Sequence, residues 1–320
     1  MRSLAGHRRP ALSGGAIDRP HRDQVSRRHH YVPQFYSKQW CGGDGRLCEY
    51  SRPYQQVIER RKYPSETGFQ IDLYSVPGAP DGVSSYIEDR FLKLTDQRAN
   101  EALQLLLADR MGEMDEALRS GWARFIMTQL QRTPQKIEWL LNAWNASFDP
   151  RTSPAAAEYE KMRRPTDPET FDEYLRLNAE RLRTIGATQM LQAVMDLPST
   201  GTHLVRMAWT IVKFERARFY LLTSDRPVII SNGLLKPDSY VVLPIAPNKL
   251  FLATNDERFV PRLIGSNLES LIRRSNDFVV SQAHTYVYGT DASQLRFVEN
   301  RLGRRKPQLI TSNLVPIENL

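Results

Sequence analysis

A chain of 320 residues with 41% hydrophobic and 25% charged side chains has the composition of an ordinary globular protein and is long enough to bury a substantial core. No stretch approaches the roughly 18 uninterrupted apolar residues of a membrane span, and the basic N-terminal stretch lacks the apolar segment of a secretory signal. These features lead to the expectation of a soluble, cytoplasmic protein without a membrane partner. The formal net charge of +8 sits mainly at the ends: residues 1–30 carry seven arginines against Asp18 and Asp23, and Arg301, Arg304, Arg305 and Lys306 form a second basic cluster. Basic ends of this kind can add phosphate affinity without sequence preference, which makes nucleic acid a candidate partner beside the plainer reading of a solvated basic leader.

Residues 1–26 are rich in Arg, Gly, Pro and Ser without periodicity and read as a disordered basic leader. A single globular domain is expected over 27–300, followed by a C-terminal tail over 301–320. The domain opens at Arg28-His29-His30-Tyr31-Val32-Pro33-Gln34-Phe35-Tyr36, which brings two of the six histidines together ahead of a proline. Pro33 fixes its own φ and biases Val32 to an extended conformation. The histidines then sit on rigid, non-helical backbone, with their side chains on opposite faces. Gly42-Gly43-Asp44-Gly45 predicts a hairpin turn between strands at Phe35–Trp40 and Arg46–Tyr50. Further strands are expected at Gln55–Ile58 and Phe69–Leu73.

A helical block is expected over about 84–196. Ser84 or Ser85 caps a helix through Ile87, Phe91, Leu94, Ala99, Leu103 and Leu106, apolar at three- and four-residue steps. A second helix runs from Asp115 to about Arg132. Thr133-Pro134 ends it, and Pro134 suits the first position of the next helix. Residues 148–168 hold four prolines and read as a loop or a mobile helical insertion. A long helix follows, from about Glu169 to Asp196. Beyond Pro198 the chain turns strand-like, with Met207–Phe214, Phe219–Thr223, Pro227–Ser231, Tyr240–Ile245 and Lys249–Ala253. A helix over 266–282, a strand at Tyr286–Tyr288 and a short helix at Ser293–Leu302 complete the order. Strands, then helices, then strands predict an α+β fold with a mixed or mainly antiparallel sheet.

Cys41 and Cys48 are the only cysteines, and without an export signal they read as reduced thiols. Together with His29 and His30 they form a conceivable zinc set, but the spacing does not match the usual finger patterns. The chain has no Gly-x-Gly-x-x-Gly, no Gly-Lys-Ser/Thr phosphate loop and no Gly-x-Ser-x-Gly elbow.

Several separated motifs are similar to those of the family catalogued as domain of unknown function 4238. They are His30-Tyr31-Val32-Pro33-Gln34-Phe35-Tyr36; Ile87-Glu88; Gln129-Leu130-Gln131-Arg132-Thr133-Pro134; Thr223-Ser224-Asp225-Arg226-Pro227-Val228; Leu243-Pro244-Ile245-Ala246-Pro247; and Asn276 ahead of Tyr288-Gly289. The resemblance spans about 28–290. It departs at Ser37-Lys38-Gln39-Trp40, where Trp40 is expected to fill a Phe position. The family supplies a residue list and no reaction. The polar members of its motifs are His30, Gln34, Glu88, Gln129, Arg132, Ser224 and Asp225.

Those side-chain types allow a metal-dependent phosphodiester hydrolase. Glu88, Asp225 and His30 would hold Mg²⁺ or Mn²⁺, His30 would alternatively be a general base, and Arg132 would clamp phosphoryl charge. Gln34, Gln129 and Ser224 would be binding residues. The same residues also allow a non-catalytic binding or sensor module for a small anionic ligand or a partner, and each has a structural use in a cap, a turn or an ion pair. Substrate and oligomeric state are open at this level.

Overall fold

In the computed structural model, residues 27–75, 86–148, 154–215, 217–231, 233–265 and 267–305 are described. The expected leader, the caps at Ser84 and Ser85, and Lys306 with the rest of the tail lie outside them, as does part of the 148–168 segment. The architecture is α+β, with antiparallel sheets and a helical block.

The chain opens with β1 (Arg28–His30), paired antiparallel to β4 (Phe69–Ile71), so that His29 faces Gln70 in register and His30 faces Phe69. The ladder is continued by Gly68, whose carbonyl accepts from the amides of both Tyr31 and Val32. Gly68 has φ +63°, a conformation that suits glycine.

The expected strand at Phe35–Trp40 is instead helical. Extended Pro33 caps α1 (Gln34–Ser37), and a 3₁₀ turn follows over Lys38–Trp40. The helical step of four places both Tyr36 and Trp40 in the core, each fully buried. The Tyr36 hydroxyl donates to the Pro244 carbonyl (2.7 Å) and lies 2.6 Å from Thr223 Oγ1, while Trp40 Nε1 donates to the Leu221 carbonyl (2.8 Å). Trp40 thus fills an aromatic core position.

One four-stranded antiparallel sheet joins both ends of the chain, in the order β3 (Ile58–Lys62), β2 (Leu47–Ser51), β10 (Tyr286–Gly289), β6 (Thr223–Ser224). A second runs β5 (Ala208–Lys213), β9 (Lys249–Thr254), β8 (Tyr240–Ala246), β7 (Ile229–Ile230). The strand expected at Gln55–Ile58 begins instead at Ile58, on an exposed sheet edge whose polar side chains carry no alternating apolar signal. Phe219–Leu222 stay outside the ladder, and pairing starts only at Thr223.

Between these strands lies the helical block. A π-helical turn (Ile87–Leu92) runs into α2 (Lys93–Leu107). Asp115 caps α3 (Glu116–Gln131) by accepting from Leu118 N, and α4 (Pro134–Ala146) begins at Pro134, as the sequence predicts. Within the segment read as an insertion, Pro154–Met162 forms α5. The long helix is two pieces, α6 (Phe171–Arg181) and α7 (Ala187–Met195), joined by a π turn over Leu182–Gly186. A further helix, α8 (Pro198–Arg206), occupies residues where the sequence looked strand-like; Pro198 sits at its first turn and Leu204 is its buried anchor. After β9 come α9 (Val260–Ile264), α10 (Leu268–Gln282) and, past β10, α11 (Leu295–Glu299). The principal core lies where α3 meets α1 and β9, around Trp122, Phe125 and Phe251.

Candidate functional site

Arg132 is the centre of the most densely polar part of the interior. It caps α3 at its C-terminus, its amide donating to Thr128 O (2.9 Å), and its side chain is fully buried. A buried guanidinium requires partners for its donors. Arg132 Nη1 donates to Asp96 Oδ1 (3.1 Å) and Oδ2 (3.3 Å) from α2. With its amide turned so that both groups are satisfied, Gln129 presents its oxygen to Nε and Nη2 of Arg132. The Tyr74 hydroxyl donates to the Arg132 carbonyl (3.4 Å), and the Phe125 ring lies 5.6 Å below the guanidinium.

Glu88 enters this cluster from the π-helical turn that precedes α2. Such turns interrupt regular helical bonding and are frequent at functional sites. Glu88 Oε2 is buried and has no hydrogen-bond partner among the described residues. Burial pushes the carboxyl up to about 7, against the pull of the Arg132 charge. Asp96 is also raised by burial, with Arg132 opposing through its charge and hydrogen bonds.

The two histidines divide as strand geometry requires. His29 is buried; its ring stacks on Tyr74 (centroids 5.5 Å apart), and its Nδ1 accepts from Tyr74 N (3.1 Å). His30 is half-buried on the other face, its ring 5.5 Å from Phe69 and its Nε2 3.4 Å from Gln34 Nε2. Burial pushes His30 below its ordinary value, and the Arg132 charge adds to that shift. At neutral pH its imidazole is therefore uncharged. His30, Glu88, Asp96 and Gln129 thus share Arg132 as a common neighbour, through its charge or its hydrogen bonds, and Gln34 reaches this neighbourhood through His30.

Ser224 and Asp225 belong to another. Asp225 accepts three backbone amides, His284 N (2.9 Å) at Oδ1 and Thr285 N (2.6 Å) and Tyr286 N (3.1 Å) at Oδ2. It thereby fixes the corner between α10 and β10, and its ionic neighbour is Arg226. Ser224 Oγ donates to Val279 O (3.1 Å) and accepts from Arg226 N (3.1 Å). Asn276 similarly ties α10 to the segment before β6, accepting from Leu222 N (2.8 Å) and donating to Tyr220 O (2.9 Å).

Two further carboxylates fall outside the motif residues, half-buried Asp96 and buried Glu49. Asp96 lies eight residues after Glu88, about two helical turns on, and that spacing was the available signal. Glu49 sits in the wholly buried strand β2, accepts from Thr67 Oγ1, and through Thr67 reaches the Tyr288 hydroxyl (3.0 Å).

The expected metal set does not come together. Among the described residues no group of three or more His, Cys, Asp and Glu side chains converges as cation ligands. Asp225 spends its lone pairs on backbone amides, and Arg132 already occupies Asp96. The zinc set fares no better: Cys41 and Cys48 are free thiols, and burial raises both, Cys48 to about 11. These donors do not form a protein cage for Mg²⁺, Mn²⁺ or Zn²⁺.

The fold and site define an α+β protein with a buried arginine–carboxylate cluster beside a neutral histidine. The chain belongs to the family described as protein of unknown function DUF4238, whose model matches residues 28–293. No curated protein and no solved structure matches it. Among the described residues no helix is long and apolar enough to cross a membrane.

Proposed function

We propose that the protein is a hydrolase of phosphodiesters in which Glu88 and His30 carry acid–base chemistry. The observation behind this reading is the unpartnered, buried Oε2 of Glu88 beside the Arg132–Asp96 pair. A buried carboxyl oxygen without a partner is costly, and interior polar groups are ordinarily satisfied. A carboxyl that titrates near 7 is populated in both protonation states at neutral pH, as a general acid or base requires. His30, held neutral, is able to accept a proton. In the proposed step, water adds to phosphorus as His30 takes its proton. The bond to the leaving oxygen breaks as protonated Glu88 supplies the proton to that oxygen. Arg132 is a positioning residue: it is fully buried and engaged, and it sets the field at Glu88. No step is assigned to a metal.

A second reading is supported by the pairing of Asp96 and the saturation of Asp225. Carboxylates already engaged in this way suit a binding or sensor module for an anionic ligand. One gel separates the two readings. Wild type and Glu88→Gln, both verified as folded, are incubated with labelled DNA and RNA in chelator, Mg²⁺ or Mn²⁺. Cutting in chelator that is lost in Glu88→Gln is the expected result. Cutting that appears only with added metal would overturn the metal-free mechanism. A shift without cutting, retained in the variant, would replace the hydrolase reading with the binder, and intact unshifted strands would remove nucleic acid as substrate.

A further inference from the structure

Away from the Arg132 cluster, α10 and the segment 292–305 enclose a cleft of about 580 Å³. Its walls alternate guanidinium and phenyl groups. Arg301 lies 3.9 Å over the Phe297 ring, Arg305 3.9 Å over Phe278 and Arg273 5.0 Å over Phe219. Arg274 adds a fourth arginine to the lining, and among the described residues the one acidic lining residue is Asp277. Asp277 bridges Arg301 Nε (2.9 Å) and Arg305 Nη2 (3.0 Å), holding both guanidinium planes in place. A second cleft of about 510 Å³ shares Asp277, Arg301 and Arg305 with the first and adds Arg304, Asn300 and Ser281. The two clefts therefore adjoin along the shared Arg301–Asp277–Arg305 wall, a basic channel whose one carboxylate among the described residues is already used as an internal brace.

We infer that this channel binds single-stranded nucleic acid. Four arginines against one aspartate attract phosphates, and binding them releases counterions. Planar guanidinium and phenyl groups at the wall supply the faces on which bases stack, a combination that holds single strands with little sequence preference. The recessed shape does not fit a flat bilayer. Two adjoining volumes that share three residues suit a strand longer than a mononucleotide. An acidic peptide would satisfy the charge but not the stacking surfaces. The inference does not depend on Glu88, so it survives failure of the hydrolase reading.

Fluorescence anisotropy tests it, using labelled strands of ~12 nucleotides, DNA and RNA, with the matching duplex and a poly-glutamate peptide as competitors. The full chain is used in chelator, and strands are checked as intact. Arg273→Glu/Arg304→Glu changes two exposed side chains, and Phe297→Leu removes a ring without changing charge; melting midpoints verify that both variants are folded. The expected result is binding to single strands that weakens at least about tenfold in the charge variant, with the salt slope reduced by about 2 or more. Phe297→Leu is expected to weaken single-strand binding severalfold. Wild-type affinity in the charge variant would overturn the assignment and point to the basic stretch at 1–30. Equal competition by poly-glutamate, or an unaffected Phe297→Leu variant, would overturn base stacking and leave a generic anion surface. Absence of binding by the wild type would overturn the whole inference.

Discussion

Glu88 is the residue whose environment has the most measurable consequence. Its carboxyl is raised in the folded protein from an ordinary value of 4.5 to about 7, so the folded state holds the proton more tightly than the unfolded chain. By linkage, its contribution to stability falls as pH rises from about 4.5 through about 7 and is flat above that. The shift corresponds to at most about 3 kcal/mol. His30 runs the other way: its lowered value gives a contribution that is present above 6.5 and is lost as pH falls through the folded value. Glu88→Gln keeps His30 and removes only the first effect. In urea unfolding the variant is therefore expected to gain stability relative to wild type between pH 5 and pH 8. A constant difference across that range would show that Glu88 is not a buried titrating group. The sequence brought His30, Glu88, Gln129 and Arg132 onto one list because they fall in the motifs shared with the family. For Asp96 it holds only the two-turn step from Glu88, and it gives no pointer to Glu49, because a glutamate in a strand looks solvent-facing until the neighbouring elements that cover it are known. From side-chain type alone, Asp225 suits a metal ligand. Only the corner at His284–Tyr286, distant in sequence, reveals the three amides that consume it.

At the scale of elements, the entry strand depends on one glycine. A Cβ added at Gly68 would lie 2.7 Å from Val32 Cβ and 3.2 Å from the Tyr288 hydroxyl, in a backbone conformation with φ +63°. The same residue's carbonyl holds both Tyr31 and Val32. Gly68→Ala is thus expected to lower stability by about 1–3 kcal/mol through overpacking and left-handed strain, read as a shift of the urea midpoint at unchanged slope. An unmoved midpoint would mean that the β1–β4 pair has room to relax. The helices bounded by Asp115 and Pro134 were legible because a cap and a helix-opening proline are local signals that packing does not override. Elements whose signal was ambiguous were placed less well. Phe35–Trp40 is short and aromatic enough to read as a strand, yet the helical step puts Tyr36 and Trp40 in the core together. Pro198–Arg206 lacks a continuous apolar stripe. Residues 58–62 form an edge strand with exposed side chains, so burial leaves no period-two pattern there.

For the molecule as a whole, the first and last parts of the chain complete one sheet. Leu47–Ser51 pairs with Ile58–Lys62 on one side, and through Cys48–Ser51 with Tyr286–Gly289 on the other; the latter strand also pairs with Thr223–Ser224. Neither the N-terminal hairpin nor the C-terminal strands close that sheet alone, which argues for one cooperative unit over the described residues. Tyr36 ties this sheet to its neighbour, since its hydroxyl meets Thr223 of the first and donates to Pro244 of the second. Burial drives that phenol far above its ordinary titration range, so it stays a neutral donor at any working pH. Tyr36→Phe leaves the Pro244 carbonyl and the Thr223 hydroxyl buried without this partner, at an expected cost of about 1–3 kcal/mol. If the two sheets and the helical block unfold together, far-ultraviolet circular dichroism and tryptophan fluorescence report the same midpoint in both proteins, shifted equally by the substitution. Separation of the two signals in Tyr36→Phe would mean instead that the helices around Trp122 hold independently of the sheets, and that the hydroxyl is what couples them.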